Sequence, residues 1–181
     1  IRTNYSKSGE PDGGYGYIRY DNAVHILGDA ICKGTLTPEL FTEGASRSFY
    51  HSLLGRDVAD DNCSWTVDQD FIPRYTSTAA IVIEGVCCED DAHLAVMWTA
   101  IGYPPCAIVQ PVTVNSVPQG LRPTLPGFRS PDCDEALARK AQAFPLVRGN
   151  GQHYINLDYV RESSAECSLK SLENYRRFRK P

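Results

Sequence analysis

Cys106 and His93 form the first pair whose side chains could do chemistry together. A thiol becomes a nucleophile when a base within hydrogen-bond reach takes its proton in an electropositive setting. A hairpin joining the two segments would allow that meeting. Cys106, however, follows Pro104 and Pro105 within apolar sequence, which favours a buried structural thiol. His25 and Cys32 share one helix face and offer two ligands to a metal, but nothing supplies a third. Glu89, Asp90 and Asp91 stand side by side between two apolar runs, the setting of a solvated turn rather than a carboxylate site. The seven cysteines (32, 63, 87, 88, 106, 133 and 167) form no CxxC pair and complete no zinc spacing. Their number is odd, so at least one stays unpaired within the chain. Two readings are open: some disulfides, which would favour an extracytoplasmic compartment, or small buried hydrophobes.

The bulk numbers narrow the partners. A chain of 181 residues is long enough for one domain over 1–181, burying roughly 70% of its unfolded surface. At 42% apolar and 22% charged residues it is neither disordered nor fibrous. A net charge of −4 offers no general attraction to phosphate backbones, so nucleic acid is not an expected partner. No apolar run approaches the ~20 residues that span a bilayer, and no signal peptide is present, so no membrane partner is expected. The chain does not begin with Met, and Ile1–Tyr5 reads as a strand already under way. The chain is therefore expected to be a processed or cut product.

The elements that would position these residues centre on 73–115. Thr78–Val86 is β-branched and apolar, Cys88–Asp91 turns the chain, Leu94–Ile101 returns it, Gly102–Pro105 turns it again and Cys106–Val114 runs forward. Three consecutive antiparallel strands follow. The continuous run AAIVI (79–83) predicts a strand covered on both faces. Before it, Ser6–Gly16 is a Gly-, Ser- and Pro-rich loop, and Tyr17–Cys32 is a helix presenting Tyr17, Tyr20, Val24, Leu27 and Ile31, stopped at Gly34. A second helix starts with Thr37 as N-cap and Pro38, and carries Leu40, Phe41, Phe49, Leu53 and Leu54 to Gly55. Arg56–Phe71 reads as a surface loop anchored by Trp65. Asn115–Arg129 is extended loop, and Ser130–Pro131 opens a helix ending near Phe144–Pro145. His153–Val160 is a short strand. Glu162–Lys180 is a helix whose closing arginines complement its dipole rather than mark a nucleic-acid patch. The order is α+β with an antiparallel sheet core, not alternating βαβ.

Several motifs resemble one family. RTNYS (Arg2–Ser6) is similar to a Thr-Asn strand motif in N-terminal-nucleophile hydrolases. The branch is that of isopenicillin-N (acyl-CoA:6-aminopenicillanic acid) acyltransferase, with penicillin V acylase and bile-salt (choloylglycine) hydrolase. YTSTAAIVIEGV (Tyr75–Val86) resembles the central strand opening the second half of those proteins. MWTAIGYPPC (Met97–Cys106) resembles their Gly-x-Pro-Cys turn, and GYGYIRY (Gly14–Tyr20) the start of a helix in bacterial relatives. The likeness runs through the first 115 residues.

The resemblance implies an αββα sandwich, two stacked antiparallel sheets with helices outside each. It also implies a nucleophilic Cys exposed as a new N-terminus by self-cleavage, with its α-amino group as base, acting on a small-molecule linear amide without any cofactor. Residue 1 is Ile, so this chain would be the C-terminal part of a longer polypeptide. The nucleophile would lie on an upstream segment of the same precursor, and the chain alone would be inert. Two site residues carry over. Asn4 matches the motif Asn, whose side-chain amide, a neutral donor, serves the oxyanion or holds the scissile amide. Arg74 corresponds to the second-half Arg that steadies the nucleophile. Tyr5 replaces the His or Asn often found beside that Asn, which bears on substrate class. A homo-oligomer is compatible with all this. The alternative from another class is a non-enzymatic binding module using the Gly- and Tyr-rich loop 6–20.

Overall fold

The computed structural model describes residues 1–3, 16–60 and 62–179. Asn4, Tyr5 and the loop 6–15 lie outside the described residues. Residues 1–3, the described part of the strand expected at Ile1–Tyr5, form no strand. The first helix, α1 (Tyr17–Lys33), is as expected, closed where Gly34 takes the left-handed conformation (φ 65°) and its N–H reaches the carbonyls of Ala30 and Ile31. The buried face differs from the expected one. Asn22, Leu27 and Ala30 turn inward, whereas Val24 and Ile31 are exposed. The reason is polar: Asn22 Nδ2 donates to the Asp70 carbonyl (2.9 Å) and its Oδ1 accepts from Ser52 N–H (2.8 Å), fixing the helix roll.

Thr37 starts the next element as expected, its Oγ1 accepting from Leu40 N–H at 3.3 Å. It does not run to Gly55. Leu40–Ala45 is a π-helical turn. The chain then forms a small hairpin, β1 (Tyr50–His51) with β2 (Arg56–Asp57), turned by Gly55 at φ 65°. Phe49 enters the core and Leu53 and Leu54 sit exposed in the turn. The stretch 56–71 is likewise not a surface loop. It contributes β2 and β3 (Trp65–Val67), and Val58 and Phe71 are core while Trp65 is largely exposed.

The meander is as expected: β4 (Ala79–Glu84), β5 (Val96–Ile101) and β6 (Gln110–Thr113), antiparallel in that order, with a 3₁₀ turn at Glu89–Leu94. Its coverage is not. Central β5 is the buried strand, with Trp98 and Ala100 almost fully enclosed. β4 is an edge with alternating burial; Ile81 is 52% and Ile83 74% exposed. The AAIVI run is therefore open to water on one side, against the expectation of two covered faces. Opposite β4 on that side lie Met97 and Ile101, half-buried, and between them Thr99, buried.

The remaining elements are α2 (Pro131–Ala143), β7 (Leu146–Gly149), β8 (Gln152–Asn156) and α3 (Leu157–Phe178). The strand expected at 153–160 stops at Asn156 because Asn156 Oδ1 caps α3 through Tyr159 N–H (3.2 Å). β8 pairs with both β3 and β7, making a second three-stranded antiparallel sheet. Helices α2 and α3 cover the Trp98 side of the meander. Trp98 packs on Tyr175 with the rings tilted (centroids 4.0 Å, 30°) within the cluster of Val96, Ala100, Val109 and Ala136. A second cluster joins Phe49, Phe71, Tyr103, Phe144, Ile155 and Leu157. The molecule is α+β with antiparallel sheets and helices.

Candidate functional site

Arg74 lies in the turn entering the meander. Its backbone N–H donates to Ser77 Oγ (3.0 Å) and its carbonyl accepts from Ser77 N–H (2.8 Å), behind the buried Pro73. Its half-buried guanidinium makes no hydrogen bond or ion pair among the described residues. Across from it stands Arg19, in the first turn of α1. Burial and then the Arg74 charge push the Arg19 guanidinium down, with Asp70 opposing them. Arg19 also lines a cavity of about 290 Å³ with Arg2, Thr3 and Ile72. Thr3 Oγ1 donates to the Gly16 carbonyl at 2.9 Å, tying the N-terminal segment to the head of α1. Arg74 and the segment leading into Asn4 are thus brought to the same end of α1. Asn4 itself falls outside the described residues. Arg19, the side chain between them, was not singled out by the sequence; GYGYIRY contains it, but only as part of a helix start.

A second polar group beside Arg74 had no sequence signal at all, since its members are far apart in the chain. Asp68 N–H donates to the His153 carbonyl (2.9 Å) and Asp68 Oδ2 accepts from Tyr75 N–H (2.8 Å). The Tyr75 ring stacks on His153 at 3.6 Å, and Lys140 Nζ sits 4.2 Å from the same ring centre. Phe144 closes the group edge-on to Tyr75 at 5.3 Å. This cluster bolts the meander's first turn to the β3–β8 pair. Asp68 Oδ1 and His153 Nδ1 are buried without a hydrogen-bond partner among the described residues. Burial raises the Asp68 carboxyl above the usual carboxylate range, although Tyr75 N–H, His153, Arg74 and Lys140 all pull it down. The native state therefore holds this proton more tightly than the unfolded chain does. The associated stability is fully present below the unfolded pKa near 4 and is lost as pH rises through the higher folded value. Asp68→Asn, which keeps the acceptor for Tyr75, should raise the melting midpoint at pH 7 by roughly 2 °C. The gain should vanish below about pH 4; melting curves across that range check it, and a gain that persists in acid would contradict the assignment.

The Gly-Tyr-Pro-Pro-Cys turn is structural. Gly102 has φ 103°, and its N–H donates to the Thr78 carbonyl at 2.7 Å. Pro104–Cys106 form a buried 3₁₀ turn. Arg47, almost wholly buried, holds this turn by donating to the carbonyls of Pro105 (3.1 Å) and Ala107 (2.8 Å) while paired with Glu43. Burial pushes the Cys106 thiol up to about 11, with the Ser163 hydrogen bond opposing. That is the state of an inert thiol, not an activated one. His93 sits at the other end of β5, some ~17 Å of strand away, exposed and bonded to the Asp90 carbonyl.

The remaining candidates carry no chemistry. His25 stacks flat on Tyr50 (3.9 Å, 1°) and Cys32 is exposed. No group of three or more His, Cys, Asp or Glu is placed to hold a metal among the described residues. All seven cysteines are free, and four of them (32, 63, 87 and 88) are exposed rather than buried. Glu89–Asp91 lie in the exposed 3₁₀ turn, as expected. No family model, curated protein or solved structure matches the chain.

Proposed function

We propose that this chain is the C-terminal portion of a cysteine N-terminal-nucleophile amidohydrolase or acyltransferase acting on linear amides. Its nucleophile would be carried by an upstream segment of the same precursor. The observation that supports this reading is the lopsided layering of the β4–β5–β6 sheet. Helices α2 and α3 pack on one side, while Ile81 and Ile83 stand exposed on the other. An αββα sandwich puts a second sheet on that side, packed face to face through side chains such as these.

In this mechanism the α-amino group of the missing Cys takes the thiol proton, the sulfur attacks the amide carbonyl, and the proton passes to the departing amine. The acyl thioester is then released to water or to a second amine, regenerating the thiol. Asn4 donates its side-chain N–H to the oxygen that gains charge, and Arg74, with its guanidinium uncommitted among the described residues, steadies the nucleophile.

The test begins with the protein as its gene encodes it. Mass spectrometry of the mature product should find a chain beginning with Cys, and Asn4→Ala in that product should lower amide turnover by ~10²–10³. A mature N-terminus other than Cys, or turnover untouched by Asn4→Ala, would overturn the reading.

A further inference from the structure

We infer that Cys106 and Cys167 form a buried cross-link site, joined as a disulfide when the chain folds in contact with a small-molecule disulfide such as oxidised glutathione. The inference does not depend on the amide-cleaving reading. The two thiols come from distant parts of the chain, the Pro104–Cys106 turn and the inner face of α3. They are 1% and 0% exposed, whereas Cys32, Cys63, Cys87 and Cys88 are exposed and Cys133 is half-buried. Helix α3 turns Val160, Ser163, Cys167 and Ser171 inward on successive turns. Cys106 shares a core cluster with Val160. At its other side, Arg47 donates to the carbonyls that flank Cys106, those of Pro105 (3.1 Å) and Ala107 (2.8 Å), and reaches Ser171 Oγ at 3.4 Å. Ser171 in turn donates to the Cys167 carbonyl at 2.7 Å. Cys106 is therefore bracketed along α3 between Val160 and Ser171, the interval that holds Cys167. The Ser163 hydroxyl, in the same interval, meets both sulfurs.

A disulfide closes only where two cysteine backbones are already held near each other. The Arg47 clamp meets that need by holding one backbone against the helix that carries the other. One cysteine thiolate attacks the S–S bond of the oxidant, forming a mixed disulfide and releasing one reduced thiol. The second thiolate attacks the mixed disulfide, forms the Cys106–Cys167 bond and releases the other reduced thiol. Two cysteine thiols are oxidised, one disulfide is reduced, and their two protons end on the released thiols. In the folded protein burial holds both thiols up, Cys106 to about 11, against the pull of Arg47 and Arg139. The exchange therefore belongs to the folding chain, before α3 has closed over the turn. Once the bond is made, the same burial keeps reductants from its sulfurs. Because the bond ties positions so far apart in sequence, it removes much of the disorder of the unfolded chain.

The test uses the gene's full product, unfolded in denaturant and refolded either in a mixture of oxidised and reduced glutathione or in dithiothreitol. After free thiols are alkylated and the protein is digested, peptide mapping of the oxidised sample should find Cys106 joined to Cys167. The oxidised protein should melt roughly 5–10 °C above the reduced one. That difference should disappear in Cys167→Ser. The map itself needs no variant, so the assignment stays testable where Cys167→Ser folds poorly. Alkylated Cys106 and Cys167 in the oxidised sample, or Cys106 joined to a different cysteine, would overturn the pair. So would a linked protein that melts no higher than the reduced one, because the bond would then strain the turn it is inferred to fit.

Discussion

Arg47→Met should lower the unfolding free energy by about 3–5 kcal/mol, the cost of breaking a buried ion pair from one side. Arg47 is 7% exposed, and its guanidinium does four things at once. It ion-pairs with Glu43 at 3.1 Å, donates to the carbonyls of Pro105 and Ala107, and reaches Ser171 Oγ at 3.4 Å. Methionine fills much of the volume but leaves Glu43 with the Ser168 hydroxyl alone among the described residues, and strips Arg47 from the two turn carbonyls. Most of the loss is therefore the stranded carboxylate. The double variant Arg47→Met with Glu43→Gln should recover part of it, and Arg47→Lys, which keeps charge without the fork, should fall between. Urea midpoints of the wild type, Arg47→Met, Glu43→Gln and the double variant provide the cycle, with Arg47→Lys measured beside it; a loss below about 1 kcal/mol for Arg47→Met would show that the pair is not the clamp described.

Gly102→Ala should cost about 2–4 kcal/mol, from two separable causes. An added Cβ would lie 2.6 Å from the Ala136 Cβ, where α2 crosses the end of β5, and the backbone is held at φ 103°. Gly127 separates these causes. It also has positive φ (76°), but a Cβ there meets nothing within 4 Å. Gly127→Ala should accordingly show only the backbone share, on the order of 1 kcal/mol. Combining Gly102→Ala with Ala136→Gly should relieve the contact and keep the strain, less the ~1 kcal/mol helix cost of the new glycine. Chemical denaturation of the set decides it. Equal losses at 102 and 127 would assign everything to φ and nothing to the helix contact.

The parts of this fold that could be read in advance are those decided within a few residues. Gly34, Thr37 and Pro131 mark helix ends because capping is local. The meander was legible because its three strands follow one another with short turns. The misreadings concern which side is covered and where an element ends. AAIVI is as apolar as a fully buried strand, yet the partner that enjoys burial is β5, and nothing in 79–83 records that β4 is an edge. Leu53 and Leu54 fit a helical stripe with Phe49, but the π-turn and Arg47 stop the helix first, and the two leucines land in a hairpin turn. At the site, Arg74 was found through a motif. Arg19 and the Asp68–Tyr75–His153–Lys140 group were not, because each depends on contacts between distant parts of the chain.

The pairing of Thr66 with Ile155 makes a ring of everything between them, the whole meander and α2 included. Strands β4 to β6 can zip from their neighbours, whereas β3 must wait until nearly the entire chain has been laid down. Closing so wide a loop carries a large entropy deficit, offset across this seam by the three residue pairs of β3, the Asp68 N–H bond to the His153 carbonyl and the Tyr75–His153 stack. Amide exchange in β3 should then run ahead of that in β5, making the β3–β8 seam the place where this molecule first comes undone.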